Sequence, residues 1–147
     1  MLLEDAIEID CPPAPLFKLI SDVEHHVNLL PGYLESSIVE RRADTFVLQR
    51  EAIIHGRVRR WKSEVSLEEG CSIHFRQLEG PLEGMRVHWD MEPKGQATKL
   101  RIVHDVRVKP WWKKWWLERW IAKPAIEKTA RAVLEAIKRA AEMREKQ

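Results

Sequence analysis

The C-terminal quarter of the chain carries a helical repeat of apolar residues that needs a partner surface. From Trp111 onward apolar residues recur every three or four positions, and Lys, Arg and Glu occupy the positions between; the repeat consists of Ala122, Ile126, Ala130, Val133, Ile137 and Ala140. This pattern predicts an amphipathic helix of about 25 residues with one apolar stripe. Pro124 either kinks this helix or separates two helices. A single stripe is stable only when another element covers it, so the rest of the chain must supply that element.

The residues before this helix predict that the covering element is a sheet. Six segments have the composition of strands and are separated by short turns containing Gly, Pro, Asp or Glu. They cover residues 35–41, 45–54, 57–67, 71–78, 85–91 and 98–108. Short connections favour antiparallel hairpins, and the lack of crossovers of about a dozen residues argues against a Rossmann-type sheet.

The N-terminal region predicts one more strand and two short helices. Apolar and polar residues alternate over residues 3–10, and a proline-rich segment then ends that strand and opens a helix with Phe17 on its apolar face. Ser21 and Glu24 match a capping box, which predicts a second short helix before an apolar loop at 28–33. The predicted fold class is therefore α+β: a curved seven-stranded antiparallel sheet around a long C-terminal helix, with two short helices after the first strand.

Composition limits the class of protein. The 147 residues are 44% hydrophobic and 33% charged, which excludes a disordered chain, and we expect one domain over residues 1–147. No apolar run approaches the ~20 residues of a membrane-spanning helix, and acidic residues follow Met1 where a secretory signal has basic ones. We therefore expect a cytoplasmic protein. Cys11 and Cys71 lie in unlike contexts, which predicts neither a disulfide framework nor a metal knuckle.

Three short motifs resemble the opening of a known superfamily. Residues 9–17 (IDCPPAPLF), 20–24 (ISDVE) and 30–32 (LPG) look like the START-like, or SRPBCC, superfamily, and most like its polyketide cyclase/dehydrase and coenzyme-Q-binding members. Residues 59–65 (RRWKSEV) and the closing helix agree, so the resemblance covers essentially the full length. It implies a helix-grip fold that binds a hydrophobic ligand between the sheet and the long helix. Because the superfamily includes lipid carriers, cyclases, quinone binders, hydroxylase domains and a ribosome-associated toxin, it does not identify the ligand.

Strand alternation indicates which side chains face that cavity, because every second residue of a strand shares a face. The predicted ligand-binding residues are Tyr33, Arg59, Trp61, Ser63, Phe75, Gln77, Val87, Trp89, Ile102, His104, Ile126, Ala130 and Val133. The polar strand residues among them are Arg59, Ser63, Gln77 and His104. They either hold the head group of a ligand, or pair with one another or lie at the rim.

Arg59 is the leading candidate for holding a head group. Its cation would suit a carboxylate, a phenolate or a phosphate. The resemblance to the cyclases implies an inward arginine with aromatic neighbours that positions the substrate. Tyr33, in the apolar loop, would take the matching position at the rim.

The sequence lacks the motifs of metal, nucleotide and hydrolase chemistry. No H-E-x-x-H, C-x-x-C, P-loop, G-x-G-x-x-G or G-x-S-x-G pattern occurs, so we expect no metal and no cofactor. His25 and His26 point to different sides of a short helix, and His74 and His88 fall on the outer face of the sheet. His104 has apolar neighbours in its strand, so it is either a general base or a structural histidine.

Tryptophan is concentrated just before the long helix. Five of the seven lie between residues 111 and 120, interleaved with Lys and Arg, which is the composition of a membrane-interface anchor. This predicts a transient contact of Trp112, Trp116 and Trp120 with a membrane surface. The alternative is that these indoles cover the open end of the sheet. Net charge is +6 over 109–147 and −4 over 1–108, an asymmetry too modest to predict a nucleic-acid partner.

The function that these patterns favour is the binding of a hydrophobic small molecule (a lipid, quinone, isoprenoid or polyketide-like compound) by a carrier or chaperone. The alternative is a polyketide-type aromatase/cyclase or dehydratase that works in the same cavity without a metal or nucleotide, using Arg59, Tyr33 and His104. A third hypothesis is an interaction module that contacts a membrane, a protein or RNA through the basic Trp-rich segment.

Overall fold

The predicted strands form one curved antiparallel sheet of seven strands. The computed structural model describes residues 1–80, 82–106 and 123–146. The strands are β1 (Leu2–Ile9), β2 (Tyr33–Arg41), β3 (Phe46–Ile54), β4 (Arg57–Glu68), β5 (Ser72–Glu79), β6 (Arg86–Lys94) and β7 (Ala97–Asp105). The helices are α1 (Pro13–Ser21), α2 (His26–Leu29) and α3 (Lys123–Glu145), with a 3-10 turn at Val23–His25 before α2. This arrangement confirms the predicted helix-grip fold.

The strand order is β1-β7-β6-β5-β4-β3-β2, so the first and second strands lie at opposite edges of the sheet. β1 pairs with β7 from Leu2 opposite Asp105 to Ile9 opposite Thr98. The hydroxyl of Thr98 donates a hydrogen bond to the Cys11 carbonyl over 2.7 Å, which fixes the chain as it leaves β1. The segment with α1 and α2 must therefore cross the open side of the sheet to reach β2.

α3 covers the concave face with the predicted apolar stripe. Its buried residues are Ile126, Ala130, Val133, Leu134, Ala136, Ile137 and Ala141. On the polar side, the guanidinium of Arg131 donates hydrogen bonds to both carboxylate oxygens of Asp5 in β1. Pro124 is the second described residue of α3, and the predicted helical residues from Trp111 to Ala122 lie outside the described ranges. In the described part of the chain, no helix is long and apolar enough to cross a membrane.

The predicted capping box is wrong. Ser21 is the last residue of α1, and Asp22, which precedes the 3-10 turn, makes no capping hydrogen bond with its side chain. Glu24 instead accepts a hydrogen bond from the backbone N–H of Ile38 in β2 over 3.2 Å. The loop is held by contacts with the sheet because Ser36 also donates from its buried hydroxyl to the Val23 carbonyl over 2.6 Å.

Candidate functional site

A cleft of about 260 Å³ opens between α3, the loop before β2 and the end of the β3–β4 hairpin. Its lining is mainly apolar and consists of Pro31, Gly32, Tyr33, Ala52, Ile53, Ile54, His55, Lys128, Thr129, Ala132 and Val133. Of the predicted ligand-binding residues, Tyr33 and Val133 line this cleft. It is an opening at one end of the helix-grip arrangement.

Tyr33 is held at this cleft by the glycine that precedes it. Gly32 has φ of +80°, and its carbonyl accepts a hydrogen bond from the N–H of Ile53 over 2.8 Å. A Cβ at position 32 would lie 3.1 Å from the Ile53 carbonyl oxygen, so glycine suits both the φ angle and the close approach. The half-buried Tyr33 ring then meets Trp61 edge-on, with ring centroids 6.1 Å apart.

Arg50 is the buried cation behind Tyr33. It is 4% exposed and lies in β3 on the same face as the buried Leu48 and Ala52. Its guanidinium carbon is 5.2 Å from the centroid of the Tyr33 ring and 5.1 Å from that of Phe75, distances typical of cation–π contacts. The guanidinium therefore contacts the aromatic rings of Tyr33 and Phe75 on the inner face of the sheet.

His26 supports Arg50 from α2. Its Nε2 lies 2.8 Å from the Ile20 carbonyl oxygen, and its Nδ1 lies 2.8 Å from Nη2 of Arg50. A carbonyl only accepts and a guanidinium only donates, so the proton must be on Nε2 and the lone pair on Nδ1. Burial and then the charge of Arg50 lower the pKa of His26 from 6.5 to about 3, which keeps the ring neutral. The ring also stacks on Trp89, with 5.6 Å between centroids.

The charge of Arg50 has no anionic partner among the described residues, because no described carboxylate forms an ion pair with it. Its Nε is buried without a hydrogen-bond partner in that part of the chain. Burial lowers the pKa of Arg50, and the Tyr33 side chain partly opposes this change. Arginine nevertheless keeps its proton in proteins, so among the described residues the site holds a cation without a counter-ion and with a free donor.

Two polar residues predicted from the sequence, Ser63 and Gln77, are buried opposite one another in β4 and β5. The amide oxygen of Gln77 accepts a hydrogen bond from the N–H of Leu82 over 2.6 Å, and its backbone pairs with Met85 and Gly84. Gln77 thus stabilises the β5–β6 connection. Ser63 is the neighbour of Leu48 across β3 and β4, two pairs along the strands from Arg50 and Trp61 and on the same face.

The two basic residues predicted to face a ligand, Arg59 and His104, do not belong to this cluster. Arg59 is exposed near the start of β4, opposite Ala52. His104 in β7 is opposite Leu3 and Val87, about 10 Å from Phe75 at the spacing of two strands. Burial lowers its pKa from 6.5 to about 4. The structure therefore does not bring Arg59 and His104 together.

The remaining predicted residues are placed on the inner side of the sheet or on the buried stripe of α3. Trp89, Phe75 and Ile102 belong to the main core cluster, and Val87 packs against it. Val133 belongs to the same cluster and also lines the cleft, whereas Ile126 packs with Val106 in a second, smaller cluster. Ala130 is buried between them along α3. Trp112, Trp116 and Trp120 lie outside the described residues.

The outer face carries a second, smaller cleft of about 110 Å³, which includes His74 and His88. These histidines are cross-strand partners, and their Nδ1 atoms are in hydrogen-bond contact. Within the described ranges, no group of three or more His, Cys, Asp or Glu side chains is arranged to hold a metal ion.

Arg50 and His26 were missed in the sequence, although a signal for Arg50 exists. The strand that contains Arg50 places Leu48, Arg50 and Ala52 on one face, so alternation alone puts a cation in an apolar row. His26 carries no comparable signal. Its role depends on the contact of its side chain with Arg50 in β3, 24 positions later in the sequence.

Comparisons with known proteins agree with this architecture. The family described as "Polyketide cyclase / dehydrase and lipid transport" matches residues 9–138. A protein of Streptomyces cyaneus named "Putative polyketide cyclase" is 28% identical over 111 residues, which cover 73% of each chain.

Solved structures show the same fold at lower identity. The Zhui aromatase/cyclase of Streptomyces sp. R1128 superposes with a TM-score of 0.85 at 20% identity, over 98% of this chain and 94% of that chain. A START superfamily protein of Mycobacterium smegmatis gives a TM-score of 0.71 at 21% identity, over 97% and 95% of the two chains. The chain belongs to the family of polyketide cyclases, dehydrases and lipid-transport proteins.

Proposed function

We propose that this protein is a carrier of a hydrophobic small molecule with an acidic head group, which Arg50 binds at the inner end of the cleft. The observation that carries the proposal is the buried guanidinium, which lacks a carboxylate partner among the described residues and has a free Nε. A buried cation without an anion is costly, and a bound carboxylate, phenolate or phosphate would remove most of that cost. Arg50 takes the role that the sequence analysis gave to Arg59.

The tail of the ligand would lie in the apolar cleft. Pro31, Ile54, Ala132 and Val133 offer aliphatic walls, and each square ångström of apolar surface removed from water contributes about 25 cal/mol. Tyr33 lies between this cleft and Arg50. A ligand would reach the guanidinium only if the Tyr33 side chain rotates, so this residue would act as the gate.

The head group would bind through a charge-assisted hydrogen bond to Nε of Arg50. His26 holds Nη2 of the same guanidinium, which limits its rotation and directs the remaining donors. The aromatic rings of Phe75 and Tyr33 exclude water from the contact. Ligand binding would therefore exchange a poorly solvated cation for an ion pair.

The carrier function is favoured over catalysis by the groups around Arg50. His26 is engaged at both ring nitrogens and held neutral, so it is a poor proton donor. His104 is the other neutral histidine of the inner face, but it lies strands away from Arg50. Transport and chaperoning need only binding, and the groups around Arg50 are suited to binding an anion.

A polyketide-type aromatase/cyclase or dehydratase is the second candidate. The names of the S. cyaneus relative and of the Streptomyces sp. R1128 structure support it. It is tested by incubating the protein with a linear aromatic polyketide precursor and following cyclised product. Turnover that Arg50→Met or His104→Ala abolishes, with the melting temperature nearly unchanged, would establish this candidate in place of the carrier.

Two expectations from the sequence accompany the proposal. One is a cytoplasmic location, and the other is a transient membrane contact of Trp112, Trp116 and Trp120. Co-sedimentation of wild type and a Trp112→Ala/Trp116→Ala variant with liposomes tests the second.

Native mass spectrometry of the purified protein tests the carrier function. We expect a bound species that dissociates on collision and that solvent extraction identifies as an acidic lipid or aromatic acid. A protein that carries no such species and binds neither dodecanoate nor 2-naphthoate would contradict the proposal.

A further inference from the structure

The end of the β3–β4 hairpin exposes aliphatic side chains. We call residues 53–58 the hairpin tip; its turn consists of His55 and Gly56, both with positive φ, as a two-residue hairpin of this type requires. Ile53 and Val58 are cross-strand partners and are 48% and 53% exposed. Leu34, in the adjacent strand β2, is 51% exposed. Three large aliphatic side chains therefore face water at this end of the sheet.

The same hairpin carries excess positive charge. Arg57 and Arg59 are exposed, and neither forms an ion pair within the part of the chain that the structure describes. Glu51, the acidic residue of β3, is already paired with Arg60 over 2.5 Å. Exposed Lys128 adds another cation on the facing side of the cleft. Aliphatic residues beside unpaired cations are complementary to a surface that is both apolar and anionic.

The hairpin tip is continuous with the mouth of the cleft. Ile53, Ile54 and His55 line that cleft. A surface that received the hairpin tip would therefore lie next to the opening through which a ligand passes.

We propose that the hairpin tip docks on an anionic lipid bilayer, with Ile53 and Val58 in the interfacial region and Arg57 at the lipid phosphates. The inference builds on the proposed carrier function, since docking there would present the cleft to the bilayer. A protein partner fits less well, because three aliphatic side chains at a two-residue turn fall far short of the roughly 800 Å² per partner of a stable interface. Insertion into a bilayer needs no such area.

Co-sedimentation with vesicles tests the docking, and the chain offers a matched control. The test variant is Arg57→Gln/Val58→Ser at the hairpin tip. The control is Arg41→Gln/Val39→Ser at the opposite end of the sheet, where Val39 is 50% exposed and Arg41 is also exposed. Wild type and both variants are mixed with vesicles of phosphatidylcholine alone and with vesicles that also contain phosphatidylglycerol, without any added ligand.

We expect wild type and the control to bind the phosphatidylglycerol vesicles, less so at high salt, and the test variant to bind at least about tenfold more weakly. Equal binding of wild type and the test variant, equal loss in both variants, or no binding of wild type would overturn the docking. Titration of the same variants with dodecanoate separates the two proposals. If the test variant loses vesicle binding but still binds dodecanoate normally, the docking of the hairpin tip is supported separately from ligand binding. If wild type does not bind dodecanoate, the carrier function is contradicted and the docking is not.

Discussion

Arg50 donates a hydrogen bond from Nη2 to Nδ1 of His26 over 2.8 Å, and this contact joins the middle of β3 to α2. His26 in turn donates from Nε2 to the Ile20 carbonyl, so the guanidinium is fixed through an imidazole to the backbone of α1. The imidazole is neutral and satisfies one donor of Arg50 without balancing its charge. The contact therefore orients the cation without neutralising it.

Removal of this contact should reveal strong coupling between the two residues. We expect His26→Leu to destabilise the fold by about 2–4 kcal/mol, because it leaves a buried guanidinium donor and the Ile20 carbonyl unpaired. The double variant with Arg50→Met should cost less than the sum of the single variants by about 1–3 kcal/mol. Urea unfolding measures both quantities. His25→Leu at the exposed neighbour is the control, with a change within about 0.5 kcal/mol, and additive energies for the His26 and Arg50 variants would contradict the coupling.

Stability should fall in acid because two histidines are held neutral. The pKa values of His26 and His104 in the folded state are about 3 and about 4, below their ordinary 6.5. Between the folded-state pKa values and 6.5, the unfolded chain binds more protons than the folded one, so the free energy of unfolding rises with pH. The stability that the two neutral histidines contribute is therefore lost as the pH falls below about 6.5. Each histidine contributes a slope that approaches about 1.4 kcal/mol per pH unit.

Urea unfolding at several pH values between about 4 and about 7 measures this slope, and His26→Gln serves as the comparison. The variant should show a shallower dependence on pH, because Gln does not titrate. The same slope in wild type and variant would show that His26 is not held neutral by the fold.

Gly80 should not tolerate a side chain. It has φ of +135°, and a Cβ there would lie 2.7 Å from Cβ of Trp61. We expect Gly80→Ala to cost about 2–4 kcal/mol, from backbone strain together with displacement of Trp61. Gly95→Ala is the matched control, since Gly95 also has positive φ but no atom lies within 4 Å of the position that its Cβ would take. Equal unfolding midpoints for the two variants would mean that contact with Trp61 is unimportant.

Ser36 should hold the loop that carries His26. Its buried hydroxyl donates to the Val23 carbonyl, which also accepts from the backbone N–H of His26. Ser36→Ala therefore removes one of two hydrogen bonds to that carbonyl, at a cost of about 0.5–1.5 kcal/mol. Ser37→Ala, at the half-buried neighbour, is the control and should change stability by less than about 0.5 kcal/mol. Hydrogen exchange of the backbone around Val23 measures the local effect. Unchanged exchange in Ser36→Ala would refute this role of the hydroxyl.

The fold was predictable because its determinants are periodic. A period near two in seven segments and a period of three and four in the last helix are local patterns, and only a curved sheet around that helix buries both. The capping box was misjudged for a different reason. Its residues match a local motif, but Glu24 has a better partner in Ile38 of β2, and such competition between local and distant partners is invisible in sequence.

For the candidate site, the sequence could predict only which face of the sheet its residues occupy. Alternation correctly placed Ser63, Phe75 and Trp89 on the buried side of their strands. Alternation could not show that Arg59 lies near the end of β4, beyond the buried core. Exposure at the end of a strand depends on how far the neighbouring strands extend, which alternation does not reveal. The same rule applied to β3 places Arg50 on the inner face, although the sequence analysis did not name it, whereas its link to His26 depends on the crossing of α1 and α2 over the sheet.

Paired titration with dodecanoate and dodecanol tests the central role of Arg50 most directly, with isothermal calorimetry as the measurement. Wild type should bind the carboxylate at least about tenfold more tightly than the alcohol, since a hydrogen bond to a charged partner contributes about 1.5–3 kcal/mol. Arg50→Met should lose that preference and keep its affinity for the alcohol, Arg50→Lys should retain part of it, and Arg59→Met should leave it intact. A preference for the carboxylate that survives Arg50→Met, or that disappears in Arg59→Met, would contradict the account.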